Sequence, residues 1–194
     1  RKPLVLAGGG GWTQKACHDL TTFAEANTLP VATAFRRQDL MDNRHPCFAG
    51  VVGLGINPKL KNRLDDTDLL IVLGTQLGEI VSGGYTYFTF PKPKQTMVHI
   101  AAGVDEIDKV YQADLGINAG MAEFCAAATD LPPVDTPWSG ETKAAHEDYV
   151  AFSTPAEMPG NVNYSEIIGW LSDNLPEDAI ITNGAGNYTV WVHR

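Results

Sequence analysis

Short apolar runs alternate along the chain with segments of helical periodicity, and glycines separate several of them. The apolar run at residues 3–7 leads directly into Gly8-Gly9-Gly10-Gly11, and a helical pattern then occupies residues 15–26. A short apolar run bounded by glycine predicts a buried strand, while a period of 3.6 residues predicts an amphipathic helix. The chain therefore opens with a strand, a glycine turn and a helix.

The same alternation continues to about residue 128. Further strands are predicted at residues 30–34, 69–73, 95–100 and 113–117, and further helical segments at 58–64, 104–110 and 120–128. Residues 51–57 are predicted as a glycine-rich loop, and residues 85–90 as either an edge strand or a loop. Strands that alternate with helices predict an α/β fold, with a mostly parallel sheet of five or six strands and helices on both faces.

Proline becomes frequent after residue 128. Five of the twelve prolines fall within residues 132–159, a stretch with one helical piece at residues 141–152. A helix at residues 164–174 and a strand at 179–182 then lead into a second glycine turn, which cannot bury its own apolar faces. We therefore expect a central α/β domain at residues 1–130, an interdomain linker at 131–161 and the truncated start of a further domain at 162–194.

Charge and cysteine content narrow the class of protein. The net charge is −9 and the 14 Lys and Arg residues are scattered, which argues against nucleic acid as a partner. The longest apolar runs, such as Leu69–Leu73, are too short to span a bilayer, and no signal-peptide core follows residue 1. The three cysteines are widely separated and odd in number, which favours a reducing, cytoplasmic location. Because residue 1 is not methionine, we expect it to be an internal position of a longer protein.

Glycine turns after a strand have two interpretations. A residue without Cβ can take positive φ and let the backbone approach a ligand, and the helix that follows offers free N–H groups to a phosphate. Many α/β sheets need the same turn and bind nothing there. The turn at residues 8–11 therefore leaves both a nucleotide site and a purely structural turn open.

Three further groups of residues could carry chemistry. His99 ends a buried strand and could stack on a nucleotide, but hydrogen bonding to the backbone is the favoured interpretation. His45 and Cys47 could form a base and a nucleophile, yet no third group orients them, so a packed cysteine in a turn is favoured. Asp65, Asp66 and Asp68 could bind a metal, but a solvated charged helix end is favoured, and we predict no metal ligands in this chain.

Six segments in this order and spacing carry a resemblance to a known family: KPLVLAGGG at residues 2–10, LPVAT at 29–33, FAGVVG at 48–53, DTDLLIVLG at 66–74, VHI at 98–100 and PEDAIIT at 176–182. Together they resemble the middle portion of the thiamine diphosphate-dependent 2-oxo acid enzymes, the group that contains acetolactate synthase, glyoxylate carboligase and benzoylformate decarboxylase. The resemblance spans nearly the whole chain.

The resemblance implies an enzyme of three α/β domains. Residues 1–130 would be its central domain, of the Rossmann-like, sirtuin-like type, and residues 162–194 would enter the diphosphate-binding domain. Gly186, Asn187 and Tyr188 would lie at the first turn that contacts thiamine diphosphate. The family's activating glutamate and its metal-binding Gly-Asp-Gly motif do not occur in these residues, so the resemblance implies that this piece is inactive alone and has no catalytic residue.

The intact protein would use thiamine diphosphate and Mg²⁺ to decarboxylate 2-oxo acids or to join carbon atoms, as acetolactate synthase does. The central domain would be structural, and its partners would be the remaining domains of the same polypeptide in a homodimer or homotetramer. A stand-alone nucleotide-binding module without catalytic activity, and a fold that keeps only an interaction role, are the alternatives.

Some members of the family bind FAD or another adenine nucleotide in the central domain. Carried over by position, the contacts here would be Gly8, Gly9, Gly10, Gly53, Gly55, Gly74, Thr75, Gln76 and His99. Two departures argue against FAD. Flavin-binding members usually place an aspartate where this chain has Ala101, Ala102 and Gly103, and an arginine near Gln76, and both would bind the nucleotide through charge-assisted hydrogen bonds.

Overall fold

The computed structural model describes residues 1–193, and within them a single sheet of six parallel strands has the order β3-β2-β1-β4-β5-β6. The strands are β1 (Pro3–Ala7), β2 (Val31–Ala34), β3 (Phe48–Val52), β4 (Leu69–Leu73), β5 (Thr96–Ala101) and β6 (Leu115–Asn118). The α-helices are α1 (Gln14–Ala26), α2 (Pro58–Asp66), α3 (Met121–Thr129), α4 (Ser139–Ser153), α5 (Tyr164–Asn174) and α6 (Thr189–Val192). Short 3₁₀ helices lie at Gln38–Leu40 and Val104–Glu106.

Helices cover both faces of the sheet, because successive side chains of a strand point to opposite sides. Leu4 and Leu6 of β1 belong to the core that α2 and α4 cover, whereas Val5 and Ala7 belong to the core under α1 and α3. The strands β1, β2 and β3 are buried on both sides and are therefore almost continuously apolar, whereas the edge strand β6 is largely exposed. The predicted α/β fold, with a parallel sheet and helices on both faces, is confirmed.

Local capping explains where the helices begin. The Thr13 hydroxyl accepts a hydrogen bond from the Ala16 amide at the start of α1, at 3.1 Å. Asn57 caps α2 in the same way through the Lys59 amide, and Pro58 occupies the first helical turn. Such caps satisfy backbone N–H groups that have no partner inside the helix. None of the helices within residues 1–193 is both long enough and apolar enough to cross a membrane.

Several predicted elements differ from the structure. Residues 48–52 form β3, which the prediction of a glycine-rich loop at 51–57 missed, because Gly50 interrupts the apolar pattern with φ +111°. Residues 85–90 are a loop, and the helix expected at 104–110 is a single 3₁₀ turn at Val104–Glu106. Residues 179–182 form no strand, because no strand within residues 1–193 lies beside them, and Ile180 is 89% exposed.

Helix α4 packs on the sheet at β3 and on α2. Tyr149 contacts the Phe48 ring edge to face, with the ring centroids 4.8 Å apart, and Ala145 is buried in the core. The Thr142 hydroxyl donates to the Thr28 carbonyl at 2.7 Å, and Asp148 pairs with side chains of α2. The helix therefore closes the β3 edge of the sheet.

Candidate functional site

The order of the strands reverses between β1 and β4, and this switch point lies at the carboxyl edge of the sheet. The chain steps outward from β1 to β2 and β3, then returns to place β4 on the other side of β1. Ligands of open α/β sheets bind in the crevice at such a point. The structure brings residues 8–10 and 74–76 together there. Gly9, Gly10 and residues 74–76 line an open cleft of about 510 Å³ with residues 78–81.

Packing between the two turns accounts for three of the glycines at the switch point. A Cβ on Gly9 would lie 1.8 Å from the Gly74 carbonyl oxygen, and one on Gly74 would lie 2.7 Å from the Gly8 carbonyl oxygen. A Cβ on Gly8 would lie 2.6 Å from the Ala34 Cβ. Gly10 has open space at its Cβ position and faces the cleft. Gly8, Gly9 and Gly74 are therefore required by the fold, whether or not a nucleotide binds.

His99 lies next to the turn that lines this cleft, and its ring forms a hydrogen bond with the protein backbone. Its Nε2 is 3.0 Å from the Thr75 carbonyl oxygen, so Nε2 carries the proton and donates. Burial lowers the pKa of His99, and the bond to Thr75 opposes that shift. The ring is therefore neutral at pH 7 and holds the turn after β4 in place.

The segment after β5 offers carbonyl groups that are already bonded. Asn118 of β6 donates its side-chain amide to the carbonyls of Ala101 and Ala102, at 3.0 and 2.9 Å. Residues 101–103 carry no acidic side chain, which is the departure from the flavin-binding pattern noted in the sequence. The residues at this position still argue against FAD as a cofactor. The predicted nucleotide contacts stay predictions.

Gly53 and Gly55 lie away from the switch point, beside the loop that follows β2. A Cβ on Gly53 would lie 2.6 Å from the Phe35 Cβ, so this glycine makes room for the Phe35 side chain. Gly55 faces Val190 of α6, with 3.7 Å from its Cβ position to Val190 Cγ1. Gly55 therefore lies where the carboxyl edge of the sheet meets the last segment of the chain.

That last segment and the loop after β2 enclose a second opening, which the sequence interpretation did not identify. Residues 36–39 line one side, and Thr182, Asn183, Ala185 and His193 line the other, around a volume of about 780 Å³. We call this opening the arginine groove. Its signal in the sequence is the pair Arg36-Arg37, which directly follows a predicted strand and so lies at the carboxyl edge.

Arg37 is committed to contacts within the protein. Its Nε and Nη2 atoms donate to the two carboxylate oxygens of Asp39, each at 3.1 Å, and Nη1 donates to the Gly9 carbonyl. This bidentate pair neutralises the one carboxylate that lines the groove. Arg37 thereby ties the groove to the glycine turn after β1.

The turn predicted to contact thiamine diphosphate is exposed and closes on itself. The Gly184 amide donates to the Tyr188 hydroxyl at 2.9 Å, and a Cβ on Gly186 would lie 2.6 Å from the Tyr188 ring. Asn187 is exposed at the start of the four-residue helix α6. These residues can form one polar edge of a diphosphate site. Within residues 1–193, no three or more His, Cys, Asp or Glu side chains lie together in a group that could hold a metal ion.

The pair His45 and Cys47 has no catalytic geometry. The His45 Nδ1 atom accepts from the Cys47 backbone amide at 3.1 Å, and its Nε2 donates to Glu25 at 2.9 Å, so neither nitrogen faces the thiol. Burial, followed by the Glu25 charge, raises the pKa of Cys47 to about 11. The packed cysteine expected from the sequence is what the structure contains.

The three thiols, all free, should differ in reactivity, because the thiolate is the reactive form. Burial raises the pKa of Cys125 to about 12, and Cys17 is the one thiol that is partly exposed. We expect an aromatic disulfide reagent to label Cys17 first in the folded protein, and Cys47 and Cys125 only after unfolding. Peptide mass spectrometry after timed labelling measures this order. Rapid labelling of Cys47 in the folded protein would contradict the packing described here.

Comparison with known families gives a match over the sheet. The model of the family described as "Thiamine pyrophosphate enzyme, central domain" matches residues 1–128. That range covers all six strands and ends within α3.

Curated relatives extend the match beyond the sheet. The chain is 22% identical over 192 residues to the acetolactate synthase isozyme 2 large subunit of Escherichia coli (strain K12), covering 98% of this chain and 34% of that protein. It is 26% identical to the acetolactate synthase large subunit of Corynebacterium glutamicum, covering 98% of this chain and 31% of that protein. It is 29% identical to the sulfoacetaldehyde acetyltransferase of Alcaligenes xylosoxydans xylosoxydans, covering 90% of this chain and 28% of that protein. The chain thus spans about a third of the length of these relatives.

Proposed function

Because this chain belongs to the thiamine pyrophosphate enzymes, through the central domain of that family, we propose that it is part of an enzyme acting on 2-oxo acids. The reaction would be decarboxylation, transfer of the resulting acyl group to a second compound, or both, as the names of the acetolactate synthases and acetyltransferases imply for those relatives. The observation that carries the proposal is the alignment over 98% of this chain, which continues past the central domain into the exposed turn. A stand-alone nucleotide-binding module is not favoured, because such a module would not explain the match beyond residue 128.

Residues 1–130 would have a structural role in that enzyme. Gly8, Gly9 and Gly74 at the switch point are required by close packing, and His99 is bonded to the backbone. Both observations support a scaffold that keeps the geometry of a nucleotide fold and holds the flanking domains apart. The connection at residues 131–161 and the truncated domain at 162–194 are part of the same proposal.

Thiamine diphosphate and Mg²⁺ would act in the intact enzyme. Gly186, Asn187 and Tyr188 would contribute one edge of the cofactor site, and the metal ligands would come from elsewhere in the polypeptide. The residues present here therefore support an inactive fragment. Whether the whole enzyme is a lyase or a transferase depends on the second substrate.

Exposed apolar side chains support the proposed partners. Trp170 of α5 and Ile180 project from the last segment, where a further domain of the same polypeptide would cover them. Tyr85 and Phe90 are exposed aromatic side chains of the central domain, and we propose that they are covered in a homodimer or homotetramer. The free thiols fit a cytoplasmic location.

The proposal is tested on the intact gene product with thiamine diphosphate, Mg²⁺ and a panel of 2-oxo acids. We expect CO₂ release with at least one acid, dependent on both additions, and a product mass that separates simple decarboxylation from acyl transfer. Omission of either addition is the control. A folded protein that binds no thiamine diphosphate would overturn the proposal.

A further inference from the structure

Arg36 is a cation without a carboxylate partner among residues 1–193. The arginine groove contains two arginines, yet Arg37 alone binds Asp39, and Arg36 makes no ion pair. Its backbone has φ +64°, a left-handed conformation that few residues other than glycine and asparagine adopt readily. The guanidinium lies over the Phe35 ring, 5.1 Å from the ring centroid, which leaves its N–H groups available.

Hydrogen-bond donors face Arg36 from the last segment of the chain. The side chains of Thr182 and Asn183 line the groove and make no hydrogen bond within residues 1–193. The His193 ring packs against the Phe35 ring in a tilted arrangement, with the ring centroids 5.0 Å apart, and its Nδ1 lies 2.9 Å from Gln38 Nε2. Because the amide nitrogen of Gln38 can only donate, Nδ1 of His193 accepts, and the neutral ring carries its proton on Nε2, where it can donate in turn.

The local charge contrasts with the whole chain. The chain carries a net charge of −9, but the groove has two arginines against one carboxylate. Burial and the Arg36 charge lower the pKa of His193, so its ring is neutral at pH 7 and adds a donor without adding charge. A planar guanidinium surrounded by neutral donors matches the geometry of a carboxylate or phosphate.

We propose that the arginine groove binds a small oxoanion, the carboxylate of a reactant, with Arg36 as the cation and Thr182, Asn183 and His193 as hydrogen-bond donors. The assignment of that carboxylate to a 2-oxo acid rests on the proposed function. The groove ends at Ala185, next to the turn that contains Gly186, so the bound acid would lie beside the predicted cofactor turn. Arg36 would then determine specificity for acidic over neutral reactants.

The test compares an acidic with a neutral acyl donor in the intact gene product. Arg36→Asn removes the charge while retaining a residue that tolerates positive φ. We expect it to raise KM for pyruvate about 10-fold or more and to leave KM for the uncharged diketone 2,3-butanedione within about twofold, since a charged hydrogen bond is lost for the acid alone. Arg36→Lys, which keeps the charge but not the planar fork, should fall between.

Arg44→Asn is the matched control, because Arg44 is exposed, has no ion pair within residues 1–193 and does not line the groove. It should leave both KM values unchanged. Circular dichroism and thermal unfolding of each variant exclude loss of fold as the cause. Equal loss of activity with pyruvate and the diketone, or no change with either, would overturn the proposal.

Calorimetric titration distinguishes this inference from the proposed function. Pyruvate and inorganic phosphate are titrated separately into the wild type and Arg36→Asn without cofactor. Weaker binding of pyruvate to the variant supports a carboxylate ligand, and weaker binding of phosphate alone identifies phosphate as the oxoanion. If the enzyme turns over no 2-oxo acid, the proposed function fails, but these titrations still decide the role of Arg36. Unchanged binding of both anions would refute it.

Discussion

Replacement of Gly9 with alanine is expected to destabilise the protein by about 3 kcal/mol or more. The added Cβ would lie 1.8 Å from the Gly74 carbonyl oxygen, and the backbone at Gly9 has φ +68°. The atom in the way belongs to the backbone of the adjacent strand end, so no side chain can rotate to make room. The two turns at the switch point would have to separate, which would disturb the pairing of β1 with β4.

Urea-induced unfolding of Gly9→Ala and Gly10→Ala measures this effect. Gly10 is the matched control, because a Cβ there meets no atom within 4 Å and its φ is not positive. We expect its free energy of unfolding to stay within about 1 kcal/mol of the wild type. Equal destabilisation of the two variants would show that the glycine turn is needed for flexibility rather than for close packing.

Asp148→Asn is expected to lower the free energy of unfolding by about 2 kcal/mol at pH 7. The carboxylate accepts from Arg63 at 2.8 Å and from Lys59 at 2.5 Å, and so joins α4 to α2. The Arg63 and Asp148 side chains are 21% and 20% exposed, so both charges are partly removed from water. An asparagine at position 148 would offset the positive charge of the Arg63 guanidinium less well, because the asparagine amide carries no charge.

The effect of Asp148 should depend on pH. Burial raises its pKa, but the hydrogen bonds from Lys59 and Arg63 outweigh burial, and the pKa lies below the ordinary value. A lowered pKa in the folded state stabilises the protein above the unfolded pKa, and this contribution is lost as the pH falls through the folded value. The wild type should therefore lose stability below about pH 4, and the variant should lose less.

Urea unfolding at pH 7 and at pH 3 measures both effects, with Glu147→Gln as the control on the same helix. Glu147 is 64% exposed and lies 3.8 Å from Lys143, so its removal should change stability by about 0.5 kcal/mol or less. Asp114, whose pKa the Lys92 side chain lowers, keeps part of the acid dependence in every variant. An Asp148→Asn protein with the same stability as wild type at pH 7 would refute the role given to this pair.

The α/β fold and most elements could be predicted from the sequence, because apolar runs and helical periods are local. The strand β3 could not, since Gly50 interrupts its pattern and its pairing with β2 depends on distant residues. The prediction of a strand at residues 179–182 was wrong for the opposite reason. Its apolar pattern is present, but a strand needs a neighbour, and residues 1–193 provide none.

The candidate site shows the same division. The sequence placed glycines after two strands, and only the strand order revealed that these turns meet and exclude each other's side chains. Nothing in the sequence distinguishes the role of Arg36 from that of Arg37. The structure separates them, because Asp39 and the Gly9 carbonyl bind one while the other faces an open groove.

The sequence by itself determined the α/β class, most of the strands and helices and the resemblance to thiamine diphosphate enzymes, from which we expect the family's activating glutamate and metal motif to lie outside these residues. Tertiary structure alone decided which glycines are required by packing, which arginine is available to a ligand and how α4 closes the β3 edge. The physical reason is that propensity and hydrophobic periodicity depend on neighbours along the chain, whereas close contacts, ion pairs and clefts depend on residues that only folding brings together.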